Sequence, residues 1–181
     1  MSLNWREIAA VLDELPLECS HLQNVRQPDY RSLILELYIP RRRYFVLISL
    51  ETGKTRLHAV SDLPERRSNK PRFVQFLLSR LRGARIISAT QVGSERIVRL
   101  DLRRGDVESV FWVRLWGGAA NIVVTDSRGT ILDAFFRRPK RGEVSGGSFW
   151  VAAEDFDSPP KEFEIRDFPG TGSLNQRVAD F

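Results

Sequence analysis

Five short segments, 85–91, 96–102, 107–116, 121–125 and 130–136, alternate apolar and polar residues or run continuously apolar, and each is followed almost at once by the next. The breaks fall at Gly93-Ser94, Arg104-Gly105-Asp106, Gly117-Gly118 and Ser127-Arg128-Gly129. A parallel crossover needs about a dozen residues or more, so connections this short force antiparallel neighbours. The second half of the chain is therefore constrained to a β-meander before any other property is considered. The first half has the same cadence. Strands are expected near 22–26, at 32–39, 44–50 and 55–60, punctuated by Pro28-Asp29, Pro40-Arg41-Arg42-Arg43 and Glu51-Thr52-Gly53-Lys54.

A helical pattern precedes each meander. Leu3, Ile8, Val11, Leu12 and Leu15 share one face of a helix over 3–15 that Pro16 ends. Phe73, Phe76, Leu77 and Leu81 share a face of a second, with Asn69 expected as N-cap, Pro71 in the first turn and Gly83 as the stop. The two halves match in register. Asn24-Val25-Arg26-Gln27 leads through a turn to Arg31-Ser32-Leu33, as Ser88-Ala89-Thr90-Gln91 leads to Arg96-Ile97-Val98. These patterns predict an α+β domain, an antiparallel β-sandwich of two helix-plus-meander units over residues 1–141.

Beyond Arg141 the glycines and prolines fall among acidic residues. Residues 142–181 are expected to form an irregular acidic tail with a short strand at 149–152 and the start of a helix at Ser173, leading to further domains. No apolar run approaches the roughly 20 residues of a membrane span, and the amino terminus lacks a secretory pattern, so a cytoplasmic protein with no membrane partner is expected. One cysteine, Cys19, and two histidines, His21 and His58, exclude an internal disulfide and argue against a metal centre.

The net charge of +5 is unevenly placed. Residues 1–60 hold 8 basic and 7 acidic side chains, 61–141 hold 17 and 8, and 142–181 hold 3 and 8. A basic middle made almost wholly of arginine suits phosphate, because the planar guanidinium presents paired donors. Nothing completes a catalytic constellation: there is no nucleophile elbow, no phosphate-binding glycine loop and no paired carboxylates at acid–base spacing. Neither catalysis nor a cofactor is expected. Candidate contacts are Arg41, Arg42 and Arg43 in one cluster, Arg137, Arg138, Lys140 and Arg141 in another, and the acid–arginine pair Glu95-Arg96. Gly93 opens the turn holding that pair, so one member is expected to be partly buried, either as a fixed recognition element or in a structural ion pair.

Lys70-Pro71-Arg72-Phe73-Val74-Gln75-Phe76-Leu77-Leu78, Leu81-Arg82-Gly83-Ala84-Arg85-Ile86, Gly93-Ser94-Glu95-Arg96-Ile97, Gly117 to Asn121-Ile122-Val123-Val124-Thr125-Asp126, and Ile131-Leu132-Asp133-Ala134 occur in that order. Together they resemble the amino-terminal domain of the NFACT family, which includes the bacterial RqcH group and eukaryotic NEMF and whose members also carry the name fibronectin-binding protein A. The resemblance implies an RNA-binding module of a ribosome-associated quality control factor. Such a factor engages the large ribosomal subunit and tRNA so that stalled peptides receive a carboxy-terminal tail. The family's Asp-Arg pair for tRNA engagement falls on Glu95-Arg96, with the acid one methylene longer, and its His-Ser before the matched Asn121 is Ala119-Ala120 here. Two alternatives accompany it: a fibronectin-binding adhesin, and a DNA-binding domain like the amino-terminal sandwich of formamidopyrimidine-DNA glycosylases without its nucleophile, since Met1-Ser2 supplies no amino-terminal proline.

Overall fold

A computed structural model describes residues 1–64, 70–151 and 162–181. The first helix, α1 (Trp5–Asp13), is started by a capping box: the Asn4 side chain accepts from the Glu7 N–H at 3.0 Å, and the Glu7 carboxylate accepts from the Asn4 N–H at 2.8 Å. Four strands follow, β1 (His21–Arg26), β2 (Ser32–Ile39), β3 (Arg42–Ser49) and β4 (Arg56–Val60). Helix α2 (Arg72–Leu81) starts after Pro71 with no side-chain cap, and the expected cap, Asn69, lies outside the described residues. Then come β5 (Arg85–Gln91), β6 (Ile97–Arg104), β7 (Val107–Arg114), β8 (Asn121–Asp126), β9 (Ile131–Ala134) and α3 (Leu174–Asp180).

The fold is α+β, as the patterning implied, but the strands form one antiparallel sheet in the order β4-β3-β2-β1-β5-β6-β7-β8-β9 rather than two separate sheets. The reason lies at the centre. Only His21↔Arg85 pairs β1 with β5, yet the main chain around it is laced by Cys19 N to Ile86 O at 2.9 Å, Ile86 N to Ser20 O at 2.8 Å, Leu22 N to Ala84 O at 2.9 Å and Gly83 N to Leu22 O at 2.7 Å. This set maps onto itself when the halves are exchanged, with Cys19 taking the place of Gly83, Ser20 of Ala84 and Leu22 of Ile86. The equivalence extends outward. β1 and β5 each carry a bulge, between Leu22 and Asn24 and between Ile86 and Ser88, and Ser32↔Ser49 corresponds to Ile97↔Arg114. Helix α1 packs on β4 and β5 and α2 on β1 and β9, so each helix rests on strands from both halves.

The inner face of the sheet and the helices enclose a continuous core in which Ile8, Val11, Leu33, Leu37, Leu77 and Leu115 are completely or almost completely buried. A smaller apolar cluster lies on the opposite face of the second meander, where Phe149 sits over Trp112 with ring centroids 5.3 Å apart. The strand expected at 149–152 is not present among the described residues. Ser148 makes a single bridge to Thr130, because the left-handed backbone at Gly142 (φ 70°) and Gly146 (φ 86°) turns the segment out of an extended ladder; Ala152 lies outside the described residues.

The boundary expected at 141 does not divide the packing. Phe168, Leu174 and Val178 enter the main core, and the Glu14 carboxylate caps α3 by accepting from the Leu174 and Asn175 N–H groups, both at 2.8 Å. Among the described residues no helix is long and apolar enough to cross a membrane.

The central seam supplies a test of backbone strain. A methyl group on Gly83 (φ 82°) would meet no atom within 4 Å, so Gly83→Ala isolates the backbone cost and is expected to lose about 1 kcal/mol in urea unfolding. Its counterpart Cys19 already holds φ 68°, and Cys19→Gly is expected to relieve that strain, with a stability equal to or above the parent.

Candidate nucleic-acid interface

Arg96 stands in the turn before β6, half-buried. Its Nε donates to Leu3 O at 2.6 Å, and one terminal nitrogen donates to the Thr55 hydroxyl. Arg96 O accepts from Leu115 N at 2.8 Å, and the Thr55 hydroxyl also donates to Leu115 O at 3.2 Å. Thus the side chain ties the amino-terminal segment and the β3–β4 turn of one half to the β7 end of the other. Burial lowers its pKa first, repulsion from Arg166 adds to this, and attraction to Glu7 opposes it. The partners named here are neutral oxygens, which makes Arg96 a fixed cation. Glu95 is half-buried beside it; its N–H donates to Val92 O at 2.9 Å and its carbonyl accepts from Gln91 Nε2 at 2.5 Å.

Beneath this turn lies Glu7, which is fully buried. Arg166 donates to it through Nε at 2.6 Å and through a terminal nitrogen, while Arg166 N–H adds a bond at 3.1 Å. Burial alone would raise the Glu7 pKa, but the hydrogen bonds from Arg166 and from the Asn4 N–H outweigh it and hold the carboxyl below the ordinary glutamate range.

A second buried network stands at the end of β7. Arg114 donates from Nε to Ala119 O at 2.9 Å and from a terminal nitrogen to Glu143 at 2.5 Å, with Arg114 7% and Glu143 5% exposed. Asn121, the residue matched by motif, joins it: Nδ2 donates to Glu143 Oε2 at 2.7 Å and to Phe136 O at 2.9 Å, and Oδ1 accepts from Phe136 N at 2.9 Å. Its role in the fold is to hold the chain leaving β9 against the start of β8. Arg138 donates to Ala120 O at 3.1 Å and lies 3.8 Å from Glu143, and it carries a buried terminal nitrogen with no hydrogen-bond partner among the described residues. Its pKa is lowered by burial first; Glu143 opposes this, and Arg114, Arg141 and Arg31 repel the charge.

That repulsion locates the charge. Arg31, from the β1–β2 turn, reaches Thr52 Oγ1 at 3.2 Å and, like Arg114 and Arg141, is close enough to repel Arg138, so these four gather at one end of the molecule, while Arg96 meets the same β3–β4 turn through Thr55, with Lys54 exposed nearby. Lys140 is exposed beside Arg141, whereas exposed Arg137 donates to Asp133 at 3.2 Å. Arg41, Arg42 and Arg43 are elsewhere. They follow the opposite end of β2 from Arg31, about 26 Å away for eight strand residues, and Arg42 and Arg43 line a groove of about 830 Å³ beside α3. The structure therefore unites the Glu95-Arg96 turn with the 137–141 cluster and separates both from 41–43.

Sequence reasoning missed Arg31, although the repeat pointed to it, since Arg31 precedes β2 as Arg96 precedes β6. It also missed the buried pair Arg114–Glu143, the exposed Tyr30 and Trp116 next to Arg31 and Leu115, and the exposed Trp150, whose ring lies against Gly129 in the β8–β9 turn.

The family model described as NFACT N-terminal and middle domains matches residues 6–167. The chain belongs to the NFACT family. No curated protein matches it. Among solved structures it is similar to the amino-terminal part of the fibronectin/fibrinogen-binding protein from Streptococcus suis, with TM-score 0.75 and 21% identity over 89% of this chain and 62% of that one. It is also similar to the amino-terminal domain of fibronectin-binding protein PavA from Streptococcus pneumoniae, at TM-score 0.67 and 25% identity over 83% and 60%. For the fibrinogen-binding protein from Staphylococcus aureus the values are 0.71 and 20% over 91% and 59%. The chain thus spans about 60% of the length of these NFACT-like structures.

Two outcomes follow from the buried charges. Glu143→Ala leaves Arg114 buried without its carboxylate and is expected to cost about 3–5 kcal/mol in denaturant unfolding. Because the folded-state pKa of Glu7 is depressed, its contribution is present above the unfolded value of about 4.3 and is lost as pH falls through the lower folded value. Acid unfolding of the parent is therefore expected to steepen below about pH 4.3, and the Glu7→Gln variant to lack that component.

Proposed function

We propose that this chain is the RNA-binding module of a ribosome-associated quality control factor, engaging tRNA and the large ribosomal subunit during carboxy-terminal tailing of stalled peptides. The single observation that carries the reading is the gathering of Arg31, Arg138 and Arg141 at one end of an NFACT domain, with Arg96 bonded to the β3–β4 turn that Arg31 also reaches. Such an array neutralises phosphates and releases their counterions, and it does so without regard to base identity. The domain acts by binding, in the cytoplasm, and leaves chemistry to its partners. Glu95-Arg96 serves as the fixed element: hydrogen bonds to Leu3 O and Thr55 hold the Arg96 guanidinium in place, so little side-chain entropy is lost when a phosphate arrives. Arg137, Arg138, Lys140 and Arg141 extend the contact, and Arg41, Arg42 and Arg43 provide a second, separate one.

The names of the similar proteins favour a second reading, a surface that binds fibronectin or fibrinogen. Titrating the protein against tRNA and against fibronectin under the same conditions separates the two.

In a tRNA titration, Arg96→Ala is expected to weaken binding far more than Arg128→Ala, with thermal melting run alongside because Arg96 also joins the two halves. Equal losses would remove the anchor role. Lys140→Glu combined with Arg141→Glu is expected to weaken binding and to flatten its dependence on salt by about one unit of slope per lost phosphate contact.

A further inference from the structure

Main-chain groups at the two edges of the sheet find partners at most positions. At β9, Ile131 N donates to Gly147 O at 2.7 Å, Ile131 O accepts from Gly146 N at 2.8 Å, and Arg72 donates to Ala134 O at 2.7 Å. At β4, the outward Ala59 N–H donates to Asn175 Oδ1 at 2.8 Å, and Ala59 O accepts from His58 Nδ1 at 2.8 Å. The exception is the start of β3. Strand β4 ends at Val60, opposite Phe45, so Arg42, Arg43 and Tyr44 run on past it. Antiparallel pairing alternates, and the bond from Leu50 N to Arg31 O at 2.8 Å sets its phase: even-numbered residues of β3 turn their main chain to β2, odd-numbered ones away from it. Arg43 N–H and C=O therefore face the groove of about 830 Å³ beside α3, and neither has a hydrogen-bond partner among the described residues. We propose that this groove receives an extended acidic peptide of a partner protein as an added strand on β3. The inference is independent of the RNA-binding reading.

The register dictates the side chains of the guest. A peptide residue opposite Arg43 shares its face of the sheet. There the Arg43 side chain is 68% exposed, and its ion pair with Glu36 at 3.3 Å leaves further guanidinium donors open. An acidic side chain suits this position. The neighbouring peptide residues fall on the face of Tyr44, where Leu15 and Pro16 also line the groove, and apolar side chains suit them. Tyr44 is fixed there, its hydroxyl donating to Pro16 O at 2.5 Å. The groove's own carboxylates do not reverse the preference: Glu14 is engaged by the Leu174 and Asn175 N–H groups, and Asp180 belongs to α3 rather than to β3.

Two main-chain bonds set the direction and register of an added strand, while apolar contact and charge supply most of its affinity. An RNA strand offers phosphates to Arg42 and Arg43 but no amide ladder to the Arg43 main chain, so the unpaired edge favours a peptide. Peptide and RNA exclude one another at this place.

The test is fluorescence anisotropy and amide hydrogen exchange of the full chain with an acetylated, amidated heptapeptide alternating valine and glutamate. The same peptide with lysine for glutamate and a single-stranded RNA hexamer serve as the other probes. The glutamate peptide is expected to bind roughly tenfold more tightly than the lysine peptide and to slow exchange of the Arg43 amide roughly tenfold. Arg43→Ala and Arg43→Pro both remove the side chain and its pair with Glu36, but only proline also removes the N–H, which no bond of the fold uses. Arg43→Pro is therefore expected to bind the peptide roughly fivefold more weakly than Arg43→Ala. Thermal melting checks that both variants fold, and if either does not, the exchange of Arg43 in the parent decides. An Arg43 amide that exchanges equally fast with and without peptide overturns the added strand, as does equal binding by the two Arg43 variants or of the two peptides. Protection of Arg43 by the RNA hexamer and not by the peptide assigns the groove to nucleic acid and overturns the proposal too. Arg43 protection by the glutamate peptide in a protein that binds no tRNA upholds the groove and overturns only the RNA-binding reading.

Discussion

The four main-chain hydrogen bonds that cross between Cys19–Leu22 and Gly83–Ile86 are the constraint on which the rest of the molecule depends. They are made between equivalent residues of two similar halves, and they turn two four- and five-stranded meanders into one sheet. Once the seam is fixed, each helix must lie on strands of both halves, because its apolar face can be covered in no other way. The seam also sets the cost of its own geometry, requiring left-handed backbone at Cys19 and Gly83.

Polar ties then fix what the seam leaves adjustable. Arg96 bonds to Leu3 and Thr55, and Arg166 folds onto the buried Glu7, so the amino terminus, the β3–β4 turn and the segment before α3 are held at one end. Arg114, Glu143 and Asn121 do the same for the segment after β9. These ties are directional and desolvated, and a missing partner leaves an uncompensated charge. They specify position at a net energy well below that of the apolar core, whose many methyl and ring contacts supply most of the stability.

The proposed recognition surface is a by-product of this arrangement. Guanidinium groups that fix the fold also present positive potential at its end, and aromatic rings stand beside them. Structural and recognition roles are not exclusive for half-buried Arg96, because a guanidinium has five donors and can bond inward while facing solvent along another edge. Glu95, Ala119 and Ala120 fall beside this network, where the Glu95 N–H donates to Val92 O and the Ala119 carbonyl accepts from Arg114 Nε.

The sequence by itself determined the local structure. Turn glycines set the meanders, apolar spacing set α1 and α2, and the matching registers of 24–31 and 88–96 announced the two-fold relation, because these depend on periods of two and 3.6 within a few residues. The motif order also sufficed to indicate the family. Only the tertiary structure decided that the halves share one sheet, since the pairing of β1 with β5 rests on main-chain atoms far apart in sequence. It also decided that the glycine-rich segment after Arg141 packs over Trp112, and that the three-arginine run at 41–43 stands apart from 137–141. Charge runs look alike in a sequence, and whether they meet depends on the length of β2 and the end of it at which each falls. Arg31 and Glu7 escaped notice for a related reason: the repeat and the capping box give their local setting, but each acquires its role from neighbours supplied by another part of the chain, Thr52 and Arg138 for Arg31 and Arg166 for Glu7.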